Sequence, residues 1–133
     1  MINMNRSLLD GLTDGVYNYE LCAAFASIAN GGVYNTPTLY TKILDHDGNV
    51  LIENPSESHT AIKDSTAALL TSAMESVVTS GTGRAAALSN MPVAGKTGTA
   101  DEDKDLWFCG YTPYYTCCVW GPDMTEFQIS DEY

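Results

Sequence analysis

One short run of the sequence combines residue types that could bind an anionic acyl substrate. It is residues 95–99, Gly-Lys-Thr-Gly-Thr, and it precedes the apolar run 106–111. Lys96 supplies a compact positive charge for a carboxylate, and the hydroxyls of Thr97 and Thr99 can add hydrogen bonds. Because Gly98 has no side chain, a substrate backbone could lie against the run there. These residues predict a site that holds an acyl donor while another group attacks its carbonyl carbon.

The run lies in a predicted strand over residues 93–99. Because side chains alternate along a strand, Lys96 and Gly98 should face one way, and Thr97 and Thr99 the other. A peptide could pair with such a strand at a sheet edge, and the backbone N–H of Thr99 could point at a developing oxyanion. The alternative is a surface hairpin in which the lysine and threonines are ordinary edge residues.

A phosphate-binding loop is a further alternative, and the sequence argues against it. Residues 95–97, Gly-Lys-Thr, resemble the end of the G-x-x-x-x-G-K-[ST] motif. That motif requires glycine at the position of Asn90, and it requires a helix to follow the lysine. A turn and a strand are predicted to follow here, so phosphate binding is not expected.

Composition limits the class of protein. A chain of 133 residues with 44% hydrophobic content fits one domain with a core. The net charge of −11 disfavours nucleic acid as a partner, because phosphate would be repelled. No apolar run approaches the length of about 20 residues that a membrane-spanning helix needs, and residues 1–10 do not resemble a secretory signal. We therefore expect one domain with no membrane segment and no nucleic-acid partner.

Cysteine and histidine give no clear metal or nucleophile motif. The four cysteines are Cys22, Cys109, Cys117 and Cys118. Since none of them has C-x-x-C spacing, zinc and thioredoxin-like chemistry are disfavoured. We expect unpaired structural thiols, with a disulfide left open. A pairing of Cys22 with a histidine as nucleophile is conceivable, but Cys22 belongs to a predicted core helix.

Other titratable residues lie in predicted turns and loops. His46 and His59 are expected to be solvated. The acidic run 101–105 could bind a cation, but it lacks the glycine and glutamate of a calcium loop and is more typical of a solvated hairpin end. No metal and no cofactor are expected.

The hydrophobic pattern predicts an α+β chain. Helical periodicity covers residues 18–30, with Asn18 as the predicted N-cap and Gly31-Gly32 as the predicted end. It also covers residues 64–80, where one broad apolar stripe is predicted to be buried: Leu69, Leu70, Ala73, Met74, Val77 and Val78. Two runs, 38–44 and 49–53, flank an Asp-Gly turn and predict a hairpin. Three further strands, 93–99, 106–111 and 115–120, are joined by short connections, which favour an antiparallel meander. The predicted order is helix, hairpin, helix and a three-stranded meander.

Several segments, in this order, resemble the C-terminal half of the transpeptidase domain of class A high-molecular-weight penicillin-binding proteins. They are Gly15-Val16, residues 20–24 (Glu-Leu-Cys-Ala-Ala), 29–34 (Ala-Asn-Gly-Gly-Val-Tyr), 81–86 (Gly-Thr-Gly-Arg-Ala-Ala), 94–99 (Ala-Gly-Lys-Thr-Gly-Thr), 107–113 (Trp-Phe-Cys-Gly-Tyr-Thr-Pro) and 119–121 (Val-Trp-Gly). The resemblance extends over residues 11–121, followed by a divergent acidic tail, 122–133. It implies that residues 1–133 form a single partial domain of the serine β-lactamase/transpeptidase-like fold, with an antiparallel sheet packed against helices.

The resemblance also implies a function. In this family a serine within Ser-x-x-Lys attacks the D-alanyl-D-alanine end of a peptidoglycan stem peptide, and the acyl group then passes to an amine on a neighbouring strand. β-Lactams trap the same serine. By this resemblance Lys96, Thr97 and Thr99 contact substrate, Gly98 provides clearance, and the Thr99 amide belongs to the oxyanion hole. The full-length protein would be extracytoplasmic and membrane-anchored, and would need no cofactor.

The sequence departs from the family pattern in two motifs. It has no Ser-x-Asn motif, and no Ser-x-x-Lys motif because Leu39, Thr60, Val93 and Asp101 stand three residues before the lysines. We therefore expect a fragment that is catalytically silent alone, marginally stable, and prone to self-association through an exposed sheet edge. Two alternatives stay open: a non-catalytic module that binds stem peptides or β-lactams through Lys96, and an interaction module whose sheet is completed by a partner chain.

Overall fold

The computed structural model describes residues 16–99 and 105–122. The elements, in chain order, are α1 (Asn18–Ala29), β1 (Val33–Asn35), β2 (Lys42–Leu44), β3 (Val50–Glu53), β4 (Ser58–Thr60), α2 (Asp64–Thr79), β5 (Ala94–Thr99), β6 (Asp105–Tyr111) and β7 (Thr116–Pro122), with a short 3-10 turn at Arg84–Ala86 before β5. This is the predicted α+β order. The acidic turn at 101–104 and the tail at 123–133 lie outside the described residues.

Helix α1 begins and ends close to the predicted positions. Asn18 is its first residue rather than its N-cap. The cap residue is Tyr17, whose N–H donates to the Glu20 carboxylate at 3.3 Å. Gly31 and Gly32 follow the helix with φ of 62° and 90°, values that L side chains rarely adopt. The glycine pair therefore ends the helix as the sequence predicts.

Helix α2 buries a narrower face than its sequence predicts. Ala67, Met74 and Val78 are buried, and their spacing keeps them on one face. Leu69 and Leu70, which belong to the predicted apolar stripe, are 73% and 40% exposed. Their side of the helix is uncovered by the other described residues, so hydrophobicity alone overestimated the buried stripe.

The predicted hairpin forms between β2 and β3, although its first strand begins at Lys42 rather than at residue 38. All residues of both strands are exposed, including Ile43 and Ile52. A second strand pair, β1 with β4, was not predicted. Each of these strands has three residues, too few to give a periodic signal.

Strands β5, β6 and β7 form the predicted antiparallel meander, in the order β5-β6-β7. Their bounds differ from the predicted ones by one or two residues, which is the usual uncertainty at strand ends. The core lies where both helices meet this sheet: Met74 of α2 packs with Ala94 and Tyr111, and Phe25 and Ile28 of α1 pack against them. None of the described helices is long and apolar enough to cross a bilayer.

The strand register fixes which side chains share a face of the meander. Lys96 lies opposite Cys109, and Cys109 lies opposite Cys118. Directly paired residues project to the same face, so these residues form one row across three strands, on the face that carries Ala94 and Tyr111. We call it the helix-facing face, because the helices pack there, and the other one the outer face.

Candidate substrate-binding edge

Strand β5 carries the Lys-Thr-Gly-Thr run along one edge of the meander. Among the described residues its only neighbouring strand is β6, so its other side is unpaired. The strand begins in the core, where Ala94 and Gly95 are buried, and emerges to exposed positions at Lys96 and Thr99. The extended conformation predicted for this run is therefore observed, at a sheet edge.

The direction of the backbone groups along β5 follows from the register. The N–H of Thr112 donates to the Tyr115 carbonyl at 2.9 Å, which marks that pair as hydrogen-bonded. Hydrogen-bonded and non-hydrogen-bonded pairs alternate along antiparallel strands. Cys109 and Cys118, three pairs along, are therefore a non-hydrogen-bonded pair, and the N–H and C=O of Cys109 point instead toward Lys96.

The same alternation turns the next residues of β5 outward. Because Lys96 directs its N–H and C=O toward β6, Thr97 directs its own away from the sheet, and so does Thr99. The edge thus directs backbone donors and acceptors outward at alternate residues. This is the arrangement that an added strand requires.

The Lys96 side chain is exposed and folds back along its own strand. Its ammonium donates to the Thr97 carbonyl oxygen, one of the outward backbone acceptors. Within residues 16–99 and 105–122, Lys96 forms no ion pair, whereas Lys42 pairs with Glu53 at 3.0 Å. The Lys96 charge is therefore not neutralised by a described carboxylate and is available to an anion.

Thr97 lies on the outer face and is held by a residue that sequence reasoning missed. Its Oγ1 is 2.7 Å from Oγ1 of Thr82, in the loop after α2. From its local sequence this loop is predicted only as a flexible connector, although residues 81–86 are one of the segments that carry the family resemblance. The neighbouring Gly83 lets the loop approach the sheet, because a Cβ there would lie 3.3 Å from the Phe108 ring.

Two paired glycines make room for an aromatic ring beneath the lysine strand. A Cβ at Gly95 would lie 2.6 Å from Phe108 Cζ, and one at Gly110 would lie 2.8 Å from Phe108 Cε1. The ring therefore occupies the space that two side chains would fill. At Gly98 a Cβ would lie 3.2 Å from Cβ of Trp107, its cross-strand partner. The predicted clearance of Gly98 for substrate stays a prediction.

Two grooves of the described residues do not include Lys96. A groove of about 1220 Å³ is lined by α1, the segment after β1 and the β6–β7 turn, including Tyr19, Leu39 and Tyr115. A smaller one, about 210 Å³, lies at Ala94 and Tyr111. Lys96 lines neither of them. Neither of these two grooves therefore provides a wall opposite Lys96.

The remaining candidate residues do not form a second site. His46 lies in the β2–β3 turn, with its Nε2 3.2 Å from Oδ2 of Asp47. The His59 ring packs at a tilt against the ring of Tyr34. Within the described residues, no group of three or more His, Cys, Asp or Glu side chains could hold a metal ion. All four cysteines are free thiols, as expected.

The fold agrees with comparisons against known proteins. The model of the penicillin-binding protein transpeptidase domain matches residues 11–120. The chain therefore belongs to the penicillin-binding transpeptidase family, and the family predicted from its sequence motifs is confirmed.

The relatives place it more closely. The chain is similar to penicillin-binding protein 1A of Clostridium acetobutylicum, at 44% identity over 101 residues, which cover 75% of this chain and 12% of that protein. The D,D-transpeptidase domain of a peptidoglycan glycosyltransferase from Eggerthella lenta superposes with a TM-score of 0.65 at 34% identity, covering 71% of this chain and 23% of that one. The penicillin-binding protein PonA1 of Mycobacterium tuberculosis superposes with a TM-score of 0.69 at 28% identity, covering 84% of this chain and 30% of that one. The chain thus corresponds to the C-terminal part of a class A transpeptidase domain. It spans about an eighth of the length of the Clostridium acetobutylicum protein.

Proposed function

We propose that this chain supplies the substrate-binding edge strand of a peptidoglycan D,D-transpeptidase. The observation that carries the proposal concerns strand β5, which has β6 on one side and no neighbouring strand on the other among the described residues. There it combines a lysine that pairs with no described carboxylate with outward backbone groups at Thr97 and Thr99. The substrate would be a stem peptide that ends in D-alanyl-D-alanine. Relatives that are named as penicillin-binding proteins support this class of substrate and β-lactams as its mimics.

Binding would use the backbone and the charge together. An incoming peptide pairs with the outward groups of Thr97 and Thr99 as an added strand. The Lys96 ammonium leaves the Thr97 carbonyl and contacts the peptide carboxylate, which frees that carbonyl for the ladder. The Thr99 N–H then lies at the edge, where it can donate to the oxygen of the carbonyl under attack.

Acyl transfer would need a nucleophile from another part of the domain. A serine oxygen attacks the carbonyl carbon, D-alanine leaves, and an amine from a second stem peptide attacks the resulting ester. This sequence contains no Ser-x-x-Lys motif. We therefore expect no covalent labelling of the isolated chain by a fluorescent penicillin. In a full-length protein the reaction would take place outside the cytoplasmic membrane, at the cell wall.

Calorimetric titration tests the proposed binding site. An acetylated peptide that ends in D-alanyl-D-alanine should bind, and the same peptide with a C-terminal amide should bind more weakly, because it has no carboxylate for Lys96. Lys96→Ala should lower the affinity for the peptide with a free carboxylate to the level measured for the peptide with a C-terminal amide. Lys42→Ala is the matched control, since Lys42 is exposed and paired with Glu53. Equal affinity of the wild-type chain for both peptides would exclude the proposed role of Lys96.

A second candidate function, completion of the sheet by a partner chain, is favoured by the other edge. Strand β7 has β6 as its only neighbouring strand among the described residues, and Val119 on it is 56% exposed. Such an edge can pair with another chain. Sedimentation of the chain alone, and after mixing with the upstream half of a related transpeptidase domain, tests this. A stable one-to-one complex supports sheet completion, whereas two independent species exclude it.

A further inference from the structure

Three of the four cysteines gather on the helix-facing face of the meander. Cys109 and Cys118 are cross-strand partners on β6 and β7. Cys22 comes from α1, and its Sγ lies 3.9 Å from the Thr116 carbonyl oxygen of β7. Cys117, next in sequence to Cys118, projects to the outer face and is exposed. The chain therefore separates two adjacent cysteines into different surroundings.

The backbone at Cys109 and Cys118 already has the geometry of a disulfide. These residues form a non-hydrogen-bonded pair, by the alternation that starts at the hydrogen bond between Thr112 and Tyr115. Such pairs have a Cα–Cα separation of about 4.5 Å. A disulfide accepts separations of about 4.4–6.8 Å. The usual spacing of such a pair therefore lies within the range that a disulfide bridges.

We propose that Cys109 and Cys118 form a cross-strand disulfide by exchange with a small-molecule disulfide such as oxidised glutathione. The thiolate of one cysteine attacks the reagent, which gives a mixed disulfide and releases one glutathione thiolate. The second protein thiolate then attacks the protein sulfur of the mixed disulfide and releases the second glutathione. Two protein thiols are oxidised, one glutathione disulfide is reduced, and the two thiol protons pass to the glutathione thiolates.

Burial assigns the order of the two attacks. Cys109 is only 2% exposed, whereas Cys118 is partly exposed. Cys118 therefore meets the reagent first, and Cys109 resolves the mixed disulfide. Burial, together with the neighbouring thiols of Cys109 and Cys22, raises the pKa of Cys118, so its thiolate is scarce at neutral pH and the first attack on the glutathione disulfide is slow. Proximity of the partner thiol then selects the cross-strand product.

The bond would lie in the same row as the substrate-binding lysine. Cys109 is the residue opposite Lys96, so the disulfide would join β7 to the strand that supports β5. It closes a short loop around the β6–β7 turn and restricts the unfolded chain. We expect the oxidised chain to melt about 5–10 °C higher than the reduced chain.

Peptide mapping of the full 133-residue chain tests the proposal. The reduced protein is treated with oxidised glutathione, alkylated and digested with chymotrypsin without reductant. Chymotrypsin cuts after Phe108, Tyr111, Tyr115 and Trp120, so it separates Cys109 from the other two cysteines of this region. The expected product is residues 109–111 linked to residues 116–120, with one alkyl group on Cys117 and two hydrogen atoms fewer than the two separate peptides carrying that one group.

Serine variants identify which thiols form the link. Cys117→Ser is the matched control and should leave the linked peptide and the rise in Tm unchanged, as should Cys22→Ser. Cys118→Ser should abolish both. Mapping of the wild-type chain needs no variant, so the test survives if Cys109→Ser fails to fold. A link between Cys22 and Cys118, a dimer through Cys117, or four alkylated thiols after oxidation would overturn the proposal.

Discussion

The hydroxyls of Thr82 and Thr97 meet at 2.7 Å and join the loop after α2 to the strand that carries Lys96. The contact lies on the outer face of the meander, whereas the Lys96 side chain projects from the helix-facing face. It links two segments that are 15 residues apart in sequence. The loop thereby positions the edge strand without occupying the side where substrate is proposed to bind.

The first prediction concerns this contact. Thr82→Ala and Thr97→Ala should each lower the free energy of unfolding by about 0.5–1.5 kcal/mol, the usual contribution of one hydrogen bond. The double variant should lose less free energy of unfolding than the two single variants lose together, because both changes remove the same hydrogen bond. Urea unfolding measures the difference. Thr82→Ala with Thr99→Ala is the control pair and should be additive, and additivity of the Thr82 and Thr97 changes would contradict the prediction.

The second prediction concerns the glycine pair under Phe108. Gly110→Ala should destabilise the chain by about 1–3 kcal/mol, because the new methyl group overlaps the ring. Gly121→Ala, whose Cβ would meet only the Leu106 carbonyl at 4.0 Å, is the matched control. Phe108→Leu should recover part of the loss in the Gly110→Ala background. Equal stability of the two alanine variants in urea would show that the ring can move away.

The third prediction concerns alkaline pH. Burial raises the pKa of Tyr111, a hydrogen bond with Thr71 opposes the shift, and Glu75 adds to it. The unfolded chain therefore loses the phenol proton first, and stability should fall as pH rises above about 10, the unperturbed pKa of tyrosine. Tyr111→Phe should flatten that part of the curve of unfolding free energy against pH. Tyr114→Phe, at a 76% exposed side chain, should leave it unchanged, and an identical effect of both variants would contradict the assignment.

The sequence predicted the elements of the sheet better than their environment. Short strand-like runs joined by short turns were enough to predict β5, β6 and β7. Burial of Leu69 and Leu70 was predicted wrongly, because an apolar stripe shows which residues favour burial but not whether another element covers them. The contact of Thr82 with Thr97 depends on how the loop folds back, which local pattern does not encode. The outward direction of the Thr97 and Thr99 backbone groups depends on the pairing register.

The fourth prediction concerns the β2–β3 turn at acidic pH. The Asp45 carboxylate accepts hydrogen bonds from the backbone N–H groups of Asp47 and Asn49 and from the Asn49 side-chain amide. The bonds to Asn49 contribute most to a pKa of Asp45 below the usual 3.8. Because this shift is downward, the stabilisation is present above pH 3.8 and is lost as pH falls through the lower folded pKa.

Amide hydrogen exchange measures this turn directly. Asp45→Ala should lower the protection factor of the Asn49 amide at neutral pH. Acidification of the wild-type chain should lower it too, when the observed rate is compared with the slower intrinsic rate at that pH. Asp47→Ala is the matched control, because Asp47 donates only its backbone N–H to Asp45. Slow exchange at Asn49 in the Asp45→Ala variant would show that the carboxylate does not organise the turn.

Amide exchange along β5 tests the central claim most directly, that this strand is a free edge which pairs with a carboxylate-terminated peptide. On addition of the D-alanyl-D-alanine peptide, the N–H groups of Thr97 and Thr99 should become protected. The N–H groups of Lys96 and Gly98, which point toward β6, should change little. Lys96→Ala should remove the added protection. Unchanged exchange at Thr97 and Thr99 at a saturating peptide concentration, or protection that does not alternate along the strand, would contradict the claim.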